Sequence, residues 1–421
     1  MQERIQGQFL QILREELVPA FGCTEPIAIA FTAAKARQVL GAFPQRLEVR
    51  CSGNIIKNVK AVIVPATHDM RGIEASAILG ALAGDPEKGL EVLSGVQPED
   101  VEQTRALLRT NLCQVGFLEG KSNLQIIVEA FAEGSSALVE VAYAHTNIVR
   151  IEKNGVCLFR AEEQAQAQEA DSPELELRDI FAFAESVPLE LVAPLVEQQI
   201  YYNLRIAEEG LTGKYGAAVG RTLLEGNGGD VKVWAKAYAA AGSDARMAGC
   251  ELPVVINSGS GNQGMTVSLP VHIYAEYLGA DREQECRALV LSNLVAICQK
   301  RQLGKLSAYC GAVSAAAGAG AGIAYLHGAD REVISNTIIN TLGNVSGIVC
   351  DGAKASCAAK IASSVDAAIL GYEMARDGHR FQNGEGLVAL DAEQTIRNFG
   401  RMGSIGMHST DTEILKIMIG A

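Results

Sequence analysis

The sequence predicts an α+β fold, with a smaller α+β part at the N-terminus, a larger and mainly α-helical part at the C-terminus, and the site between them. Alternating apolar and polar residues, which are typical of half-buried strands, occur only in the first part. A polar connection follows, and beyond it the apolar residues recur at helical spacing. These observations predict an α+β domain at residues 1–165 and a mainly helical domain at residues 166–421.

The N-terminal part begins with two helices within residues 4–40, broken at residues 21–26. Pro26 falls in a first helical turn, which tolerates proline, and Thr24 can cap that helix, so Cys23 is expected next to a helix N-terminus. Further on, the patterning predicts strands at 47–51, 59–64, 123–142 and 146–152, a turn at 52–54, and helices at 72–82 and 99–112.

The predicted connection covers residues 160–176, which are rich in Gln, Glu and Ala and include Asp171-Ser172-Pro173. After it, helical patterning with glycine-rich breaks dominates, and no repeat of the solenoid kind is present. The predicted helices cover residues 174–185, 188–207, 212–224, 231–241, 269–278, 281–302 and a near-continuous series at 307–370.

The composition excludes several classes of function. A net charge of −13 without a cluster of Lys and Arg disfavours nucleic acids and anionic membrane surfaces as partners. The first residues lack the basic and apolar regions of a signal peptide, so we expect a cytoplasmic protein. Residues 306–326 are apolar, but their many Ala and Gly residues favour a tightly packed buried helix over a membrane span.

The ten cysteines contain no CxxC pair, and in a reducing compartment we expect buried thiols or metal ligands rather than disulfides. Cys23, Cys310 and Cys350 share a setting that the others lack, beside glycine and polar residues at a predicted helix start or break. A helix N-terminus favours the thiolate, which is the form that binds metal. The residue pattern alone leaves open both a metal site and the plain packing of small buried thiols.

Two polar segments are candidates for substrate binding. Residues 257–264 place Asn, Ser and Gln among glycines before an apparent helix near Pro270, which suits either a carboxylate-binding loop or a plain turn. Residues 243–247 suit either a capped helix start or a carboxylate ligand, Arg246, held by Asp244, although a surface ion pair is the more usual role of such an arginine. His145, beside Thr and Asn, can carry a proton near neutral pH, although a lone histidine is more often structural.

Six motifs, in the same order along the chain, resemble the L-cysteine desulfidase family, which is related to the catalytic chain of iron–sulfur L-serine dehydratases. They are GCTEP at 22–26, SGNIIKN at 52–58, HTNIV at 145–149, SDARM at 243–247, NSGSGNQG at 257–264 and VSGIVCDGAK at 345–354. The resemblance runs from about residue 10 to the C-terminus.

The resemblance implies a [4Fe–4S] cluster held by Cys23, Cys310 and Cys350. Cys357 is the second choice, because serine dehydratases have another cysteine in this region at a different spacing. With three cysteine ligands, the fourth iron keeps an exchangeable position and can act as a Lewis acid on a small amino acid. The implied reaction converts L-cysteine to hydrogen sulfide, ammonia and pyruvate.

The roles of the other residues follow as expectations from the same resemblance. The substrate is expected to contact Asn257, Ser258, Ser260, Asn262 and Arg246. The candidate bases are His145, Lys57 and Lys354, and His145 is preferred because its unperturbed pKa is nearest the working pH.

Three other interpretations stay open at this point. The first is an L-serine dehydratase with the same cluster and a different leaving group. The second is an iron–sulfur sensor or binding protein without catalysis, and the third is a pyridoxal-dependent lyase. The sequence also leaves open the role of Cys357 and the oligomeric state, a homo-oligomer included.

Overall fold

The computed structural model describes residues 3–118, 123–161, 175–225, 229–304 and 306–420. It confirms the predicted α+β class, with one mixed sheet in the N-terminal half and a mainly helical remainder. The proposed domain boundary at 165/166 lies outside the described residues, so the division into two domains stays a prediction.

The N-terminal half alternates helices and strands. Its helices are α1 (Glu3–Glu16), α2 (Thr24–Leu40), α3 (Gly53–Val59), α4 (Gly72–Ala83) and α5 (Pro98–Leu107), with a 3-10 helix at Pro86–Glu91. Its strands are β1 (Pro19–Phe21), β2 (Arg46–Cys51), β3 (Cys113–Phe117), β4 (Gln125–Ala132), β5 (Ser135–Ala142), β6 (Ile148–Lys153) and β7 (Val156–Arg160).

Six of these strands form one sheet in the order β3-β2-β4-β5-β6-β7. The β2–β3 pair is parallel and the other pairs are antiparallel. Val49, Val128 and Val139 are aligned across β2, β4 and β5 and are fully buried, so branched side chains form a continuous row under α2.

The predicted strand at 59–64 is wrong, and so is the turn at 52–54. Residues 53–59 form α3 instead, and the following residues contribute only an isolated bridge between Ile63 and Arg71. Ile55 and Val59 are four residues apart and both buried, which is the spacing of one helix face. The short apolar run fits a helix and a strand equally well, and its packing against neighbouring elements decides between them.

The described part of the C-terminal half consists of α-helices, one short strand and a π-helical segment at Met402–Gly406. The α-helices and the strand are α6 (Leu177–Ser186), α7 (Leu189–Thr212), α8 (Val219–Leu224), α9 (Val231–Met247), β8 (Pro253–Val255), α10 (Gly261–Leu278), α11 (Arg282–Leu303), α12 (Gly311–Leu326), α13 (Arg331–Val345), α14 (Cys357–Arg376), α15 (Ala392–Arg401) and α16 (His408–Ile419).

A small antiparallel ribbon connects the two halves. Strand β1 pairs with β8, with Ala20 opposite Val254, so the segment leading to Cys23 runs beside the segment leading to residues 257–263. Helix α1 also packs into the helical core through Phe9 and Leu13. The ribbon therefore brings two of the predicted site segments together.

The Ala- and Gly-rich segment forms α12, which is buried among other helices. A Cβ atom on Gly318 would lie 2.4 Å from the carbonyl oxygen of Ser292, so α12 and α11 approach too closely there for any side chain. Within the part of the chain that the structure describes, no helix is long and apolar enough to cross a bilayer. Close packing thus accounts for the small residues.

Replacing Gly318 with Ala should destabilise the protein by roughly 1–3 kcal/mol, because the added methyl group overpacks the α11–α12 contact. Gly7→Ala is the matched control, since Gly7 lies at an exposed position of α1 and a methyl group added there would meet no heavy atom within 4 Å. That change should raise stability by up to about 1 kcal/mol through helix propensity. Chemical denaturation measures both, and equal effects of the two changes would contradict the proposed packing.

Candidate active site

A partly open cavity of about 110 Å³ lies between the two halves of the chain. It brings together most of the residues that the sequence predicted for the site. Its polar and thiol lining consists of Cys23, Thr24, Glu25, Asn58, His145, Arg246, Ser258, Ser260, Asn262, Gln263, Lys300, Ser307, Tyr309, Cys310, Cys350 and Cys357.

Four thiols face this cavity, and local backbone pairing positions two of them. Tyr309 and Val349 form an antiparallel bridge. The Cys310 N–H donates to the carbonyl of Ile348 over 3.1 Å, and the Cys350 N–H donates to the carbonyl of Ala308 over 2.7 Å. Cys310 and Cys350 each follow one residue of the bridged pair. Neighbouring residues of extended backbone point to opposite sides, so both thiols lie on the side opposite the Tyr309 and Val349 side chains.

The start of helix α14 adds Cys357 to this pair. Cys357 is the first residue of α14, Cys310 is the N-cap of α12, and Cys23 is the N-cap of α2. The prediction that Cys23, Cys310 and Cys350 lie at helix starts or breaks is therefore confirmed, because the first two are N-caps and Cys350 lies in the break between α13 and α14. Three helix N-termini direct their positive ends toward the cavity, which suits an anionic group there.

Burial outweighs the helix dipoles in setting the pKa values of Cys23, Cys310 and Cys357 in the metal-free protein. Burial, followed by the neighbouring Cys350, raises the pKa of the Cys310 thiol to about 12. Burial also raises the pKa values of Cys23 and Cys357. The expected lowering by helix N-termini is thus not realised without a bound metal, which would itself deprotonate a coordinating thiol.

Glu25 organises the side of the cavity that holds Cys23. Its carboxylate accepts hydrogen bonds from the Cys23 thiol (Sγ–Oε2 3.3 Å) and the Asn58 amide (Nδ2–Oε1 2.8 Å), and the Thr24 hydroxyl lies 3.0 Å from Oε2. Burial alone would raise the pKa of Glu25, but His145, Arg246 and the thiol lower it overall. This role was not predicted from the sequence, although Glu25 lies within the GCTEP motif.

Arg246 joins three segments at the cavity wall and is only 2% exposed. Its Nε atom donates to the carbonyl of Gly22 over 3.1 Å, and Nη1 donates to Oδ1 of Asn262 over 3.2 Å. The predicted holding of Arg246 by Asp244 is wrong. The Asp244 carboxylate instead accepts from the backbone N–H of Gly220 at 3.0 Å, because it is turned toward the start of α8.

The loop at residues 257–262 meets His145 at a tight turn. Ser258 and Gly259 both have positive φ values, of 50° and 76°. A Cβ on Gly259 would lie 3.1 Å from Cε1 of His145, so glycine lets the imidazole ring approach the backbone. Asn257 points away from the cavity and donates to Oδ1 of Asn293 over 2.9 Å, which fixes the loop from behind. Helix α10 begins at Gly261, well before the predicted start near Pro270.

The two other candidate bases do not line the cavity. The Lys57 ammonium is 1% exposed and pairs with Asp411 of α16 at 2.5 Å. Lys354 is partly exposed and pairs with Asp351 at 2.5 Å. Only His145 of the three predicted bases faces the cavity, and it is 7% exposed.

Lys300 faces the same cavity and was not predicted from the sequence. It is 5% exposed, and among the described residues its ammonium makes no hydrogen bond and no ion pair. Burial lowers the pKa of Lys300 to about 8, against the opposing influence of Cys350 and Cys310. Helical spacing from Leu289, Asn293 and Ile297 places Lys300 on the buried face of α11, which is the signal that could have found it.

The chain also matches known proteins. The family model described as serine dehydratase alpha chain matches residues 87–416. A UPF0597 protein of Lachnoclostridium phytofermentans is 55% identical, over 98% of this chain and 99% of its own length. UPF0597 proteins of Desulfitobacterium hafniense and Treponema denticola are 50% and 46% identical and cover 99% and 98% of this chain, and 98% and 97% of their own lengths. The chain belongs to the serine dehydratase alpha chain family, which confirms the relationship that the motifs predicted.

Replacing Glu25 with Gln should lower the stability of the metal-free protein by roughly 1–3 kcal/mol at neutral pH, because buried donors lose an ionised acceptor. The pKa of Glu25 is lower in the folded protein than its ordinary value of 4.5. Its ionised carboxylate therefore stabilises the fold fully above pH 4.5, and this stabilisation is lost as the pH falls through the folded-state pKa. The difference from wild type should therefore shrink only in acid.

Denaturant unfolding across this pH range measures the effect. Glu208→Gln, at an exposed position in α7, serves as the control and should change stability by less than about 0.5 kcal/mol. A Glu25→Gln difference that is independent of pH would show that the carboxylate charge does not matter.

Proposed function

We propose that the protein is an iron–sulfur-dependent lyase that removes the β-substituent from a small L-amino acid, with L-cysteine as its substrate. The observation that carries this proposal is one cavity lined by four thiols together with a histidine, an arginine and a serine- and asparagine-containing loop. Membership of the serine dehydratase alpha chain family supports a reaction of this class.

The donor set fits a [4Fe–4S] cluster, which binds cysteine thiolates. The cavity supplies four thiols from separate chain segments, and the Lys300 ammonium beside them would offset the negative charge of bound thiolates. Within the described ranges, no three His, Cys, Asp or Glu side chains are placed to hold a single metal ion. A cluster differs in this respect, because each thiolate binds a different iron and the sulfurs stand further apart.

Of the four thiols, we propose Cys310, Cys350 and Cys357 as the three ligands. Cys310 and Cys350 lie together on the bridged segment, and Cys310 is influenced electrostatically by both Cys350 and Cys357. Cys23 packs in one apolar cluster with Cys357 but is hydrogen-bonded to Glu25. The sequence predicted Cys23 in place of Cys357, and that arrangement stays the alternative. In either arrangement one of the four thiols is left to face the substrate.

When bound, the cluster would supply a Lewis acid at the iron that lacks a cysteine ligand. Side chains of the protein would bind the substrate and remove its α-proton. Arg246, Ser258, Ser260 and Asn262 would bind the polar groups of the amino acid, with Asn257 holding their loop in place. His145 would take the α-proton, because Lys57 and Lys354 are engaged in ion pairs away from the cavity.

Loss of the α-proton and of the β-substituent as sulfide converts L-cysteine to 2-aminoacrylate and hydrogen sulfide. The aminoacrylate takes up a proton at carbon to become an imine, which water hydrolyses to pyruvate and ammonia. For L-serine the leaving group is hydroxide, released as water, and the later steps are the same. The matched family model, described as serine dehydratase alpha chain, favours L-serine dehydratase as the second candidate function.

The cytoplasm is the compartment that we propose for this reaction. All ten cysteines are free, and a reducing compartment keeps thiols in the form that binds iron. The net charge of −13 supports a small-molecule substrate over nucleic acid as the partner.

Protein purified and assayed without oxygen should release sulfide and pyruvate from L-cysteine in equal amounts. His145→Gln, at matched iron content, should reduce the rate by roughly 100-fold or more, because it removes the group that accepts the α-proton. Coupled assays for pyruvate and colorimetric detection of sulfide measure both products.

Faster pyruvate formation from L-serine would assign the dehydratase activity instead. If iron-loaded protein forms no pyruvate from either amino acid, the lyase proposal is wrong. Full turnover by His145→Gln would remove His145 from the reaction.

A further inference from the structure

Only the nitrogen of the Asn58 side-chain amide makes a hydrogen bond. Its Nδ2 donates to Oε1 of Glu25 over 2.8 Å, while its Oδ1 is buried and accepts no hydrogen bond. The orientation of the amide is fixed, because a carboxylate accepts hydrogen bonds and only the nitrogen can donate to it. Asn58 is 6% exposed and is one of the residues that line the cavity, so a donor on a molecule bound there would complete this unpaired acceptor.

Glu25 lies beside this oxygen and also lines the cavity. Its neighbours donate through one thiol, one hydroxyl and one amide, and it forms no ion pair with any residue that the structure describes. A buried acceptor without a donor is unfavourable, so a ligand that brings donors is favoured at this place. An ammonium group carries three donors and a positive charge, which match a carboxylate and an adjacent amide oxygen.

We propose that Asn58 Oδ1 and the Glu25 carboxylate form the subsite that receives the α-ammonium group of the substrate. The inference rests on the proposed function and adds residues that were not predicted from the sequence. It also states the substrate class, which is an amino acid with a free α-ammonium group rather than a hydroxy acid or a simple carboxylic acid.

The same cavity also carries cationic groups that suit the carboxylate of such a substrate, and one of them, Arg246, lies near enough to Glu25 to lower the pKa of that carboxyl. Arg246 and Lys300 are cations on the cavity wall, and Ser258 adds a hydroxyl group. A zwitterion can therefore place its carboxylate toward these groups and its ammonium toward Glu25 and Asn58. Opposite charges within one small cavity distinguish a zwitterion from an anion of the same size.

Asn54 offers a matched control on the same helix, α3. It lies one turn from Asn58, its Nδ2 likewise donates to a carboxylate, that of Asp411, over 2.6 Å, and its Oδ1 likewise accepts no hydrogen bond. Asn54 does not line the cavity, although it is 8% exposed and almost as buried as Asn58. Asn58→Leu and Asn54→Leu thus remove equivalent groups inside and outside the proposed subsite.

The test measures binding of two unreactive probes, L-alanine and propionate, to the full-length anaerobic protein by ligand-observed NMR titration. L-Alanine carries the ammonium group and propionate lacks it, and neither has a leaving group. The wild type should bind L-alanine at least tenfold more tightly than propionate, the order of effect of one charge-assisted hydrogen bond. Asn58→Leu should reduce that preference roughly tenfold, because only the Glu25 carboxylate is left to receive the ammonium group, and should leave propionate binding within about twofold, while Asn54→Leu should retain the preference.

Equal affinity of the wild type for the two probes would overturn the proposal without any variant, and so would a preference that is undiminished in Asn58→Leu. An equal loss of affinity for both probes in Asn58→Leu would also overturn it, because that pattern indicates altered shape. Pyruvate formation from L-serine and L-cysteine, measured on the same preparation, reports the lyase reaction separately. Turnover without the alanine preference refutes the subsite alone, and the preference without turnover refutes the lyase alone.

Discussion

The buried guanidinium of Arg246 is the contact on which the arrangement of the site depends. It binds the backbone just before Cys23 and the side chain of Asn262, and so ties the start of α2 to the start of α10. The β1–β8 ribbon brings these segments together, and Arg246 fixes their final approach. A charge buried to this extent is stable only with fixed partners, so the two helix starts cannot separate without leaving it unpaired.

The site contains buried ionisable groups, which a fold stabilised only by apolar packing would not contain. Thiols, a carboxylate and the ammonium of Lys300 share one small cavity, and the ammonium has no hydrogen-bonded partner among the described residues. Buried polar and charged groups lower the stability of the fold unless a bound ligand supplies their missing hydrogen-bond or ionic partners. Three helix N-termini and a buried cation favour an anionic group on the thiol side, and an iron–sulfur cluster bound through thiolates meets that requirement.

The sequence predicted the fold class and the convergence of most site residues, because helix breaks and glycine-rich segments mark where side chains can be presented. It missed α3, since a short apolar run fits either kind of element until its neighbours are known. It also assigned no role to Glu25 or Asn58, although both lie within the motifs that carry the family resemblance. Their roles arise from a hydrogen bond between residues 33 positions apart, which no local pattern encodes.

The iron content of single cysteine variants, purified without oxygen, tests the central claim most directly. We expect about four iron atoms per chain in the wild type. We also expect loss of the cluster in Cys310→Ala, Cys350→Ala and Cys357→Ala, and retention in Cys23→Ala, whereas loss in Cys23→Ala with retention in Cys357→Ala would restore the alternative ligand set. A wild type without iron, or full iron content after removal of Cys310 or Cys350, would contradict the proposed cluster site.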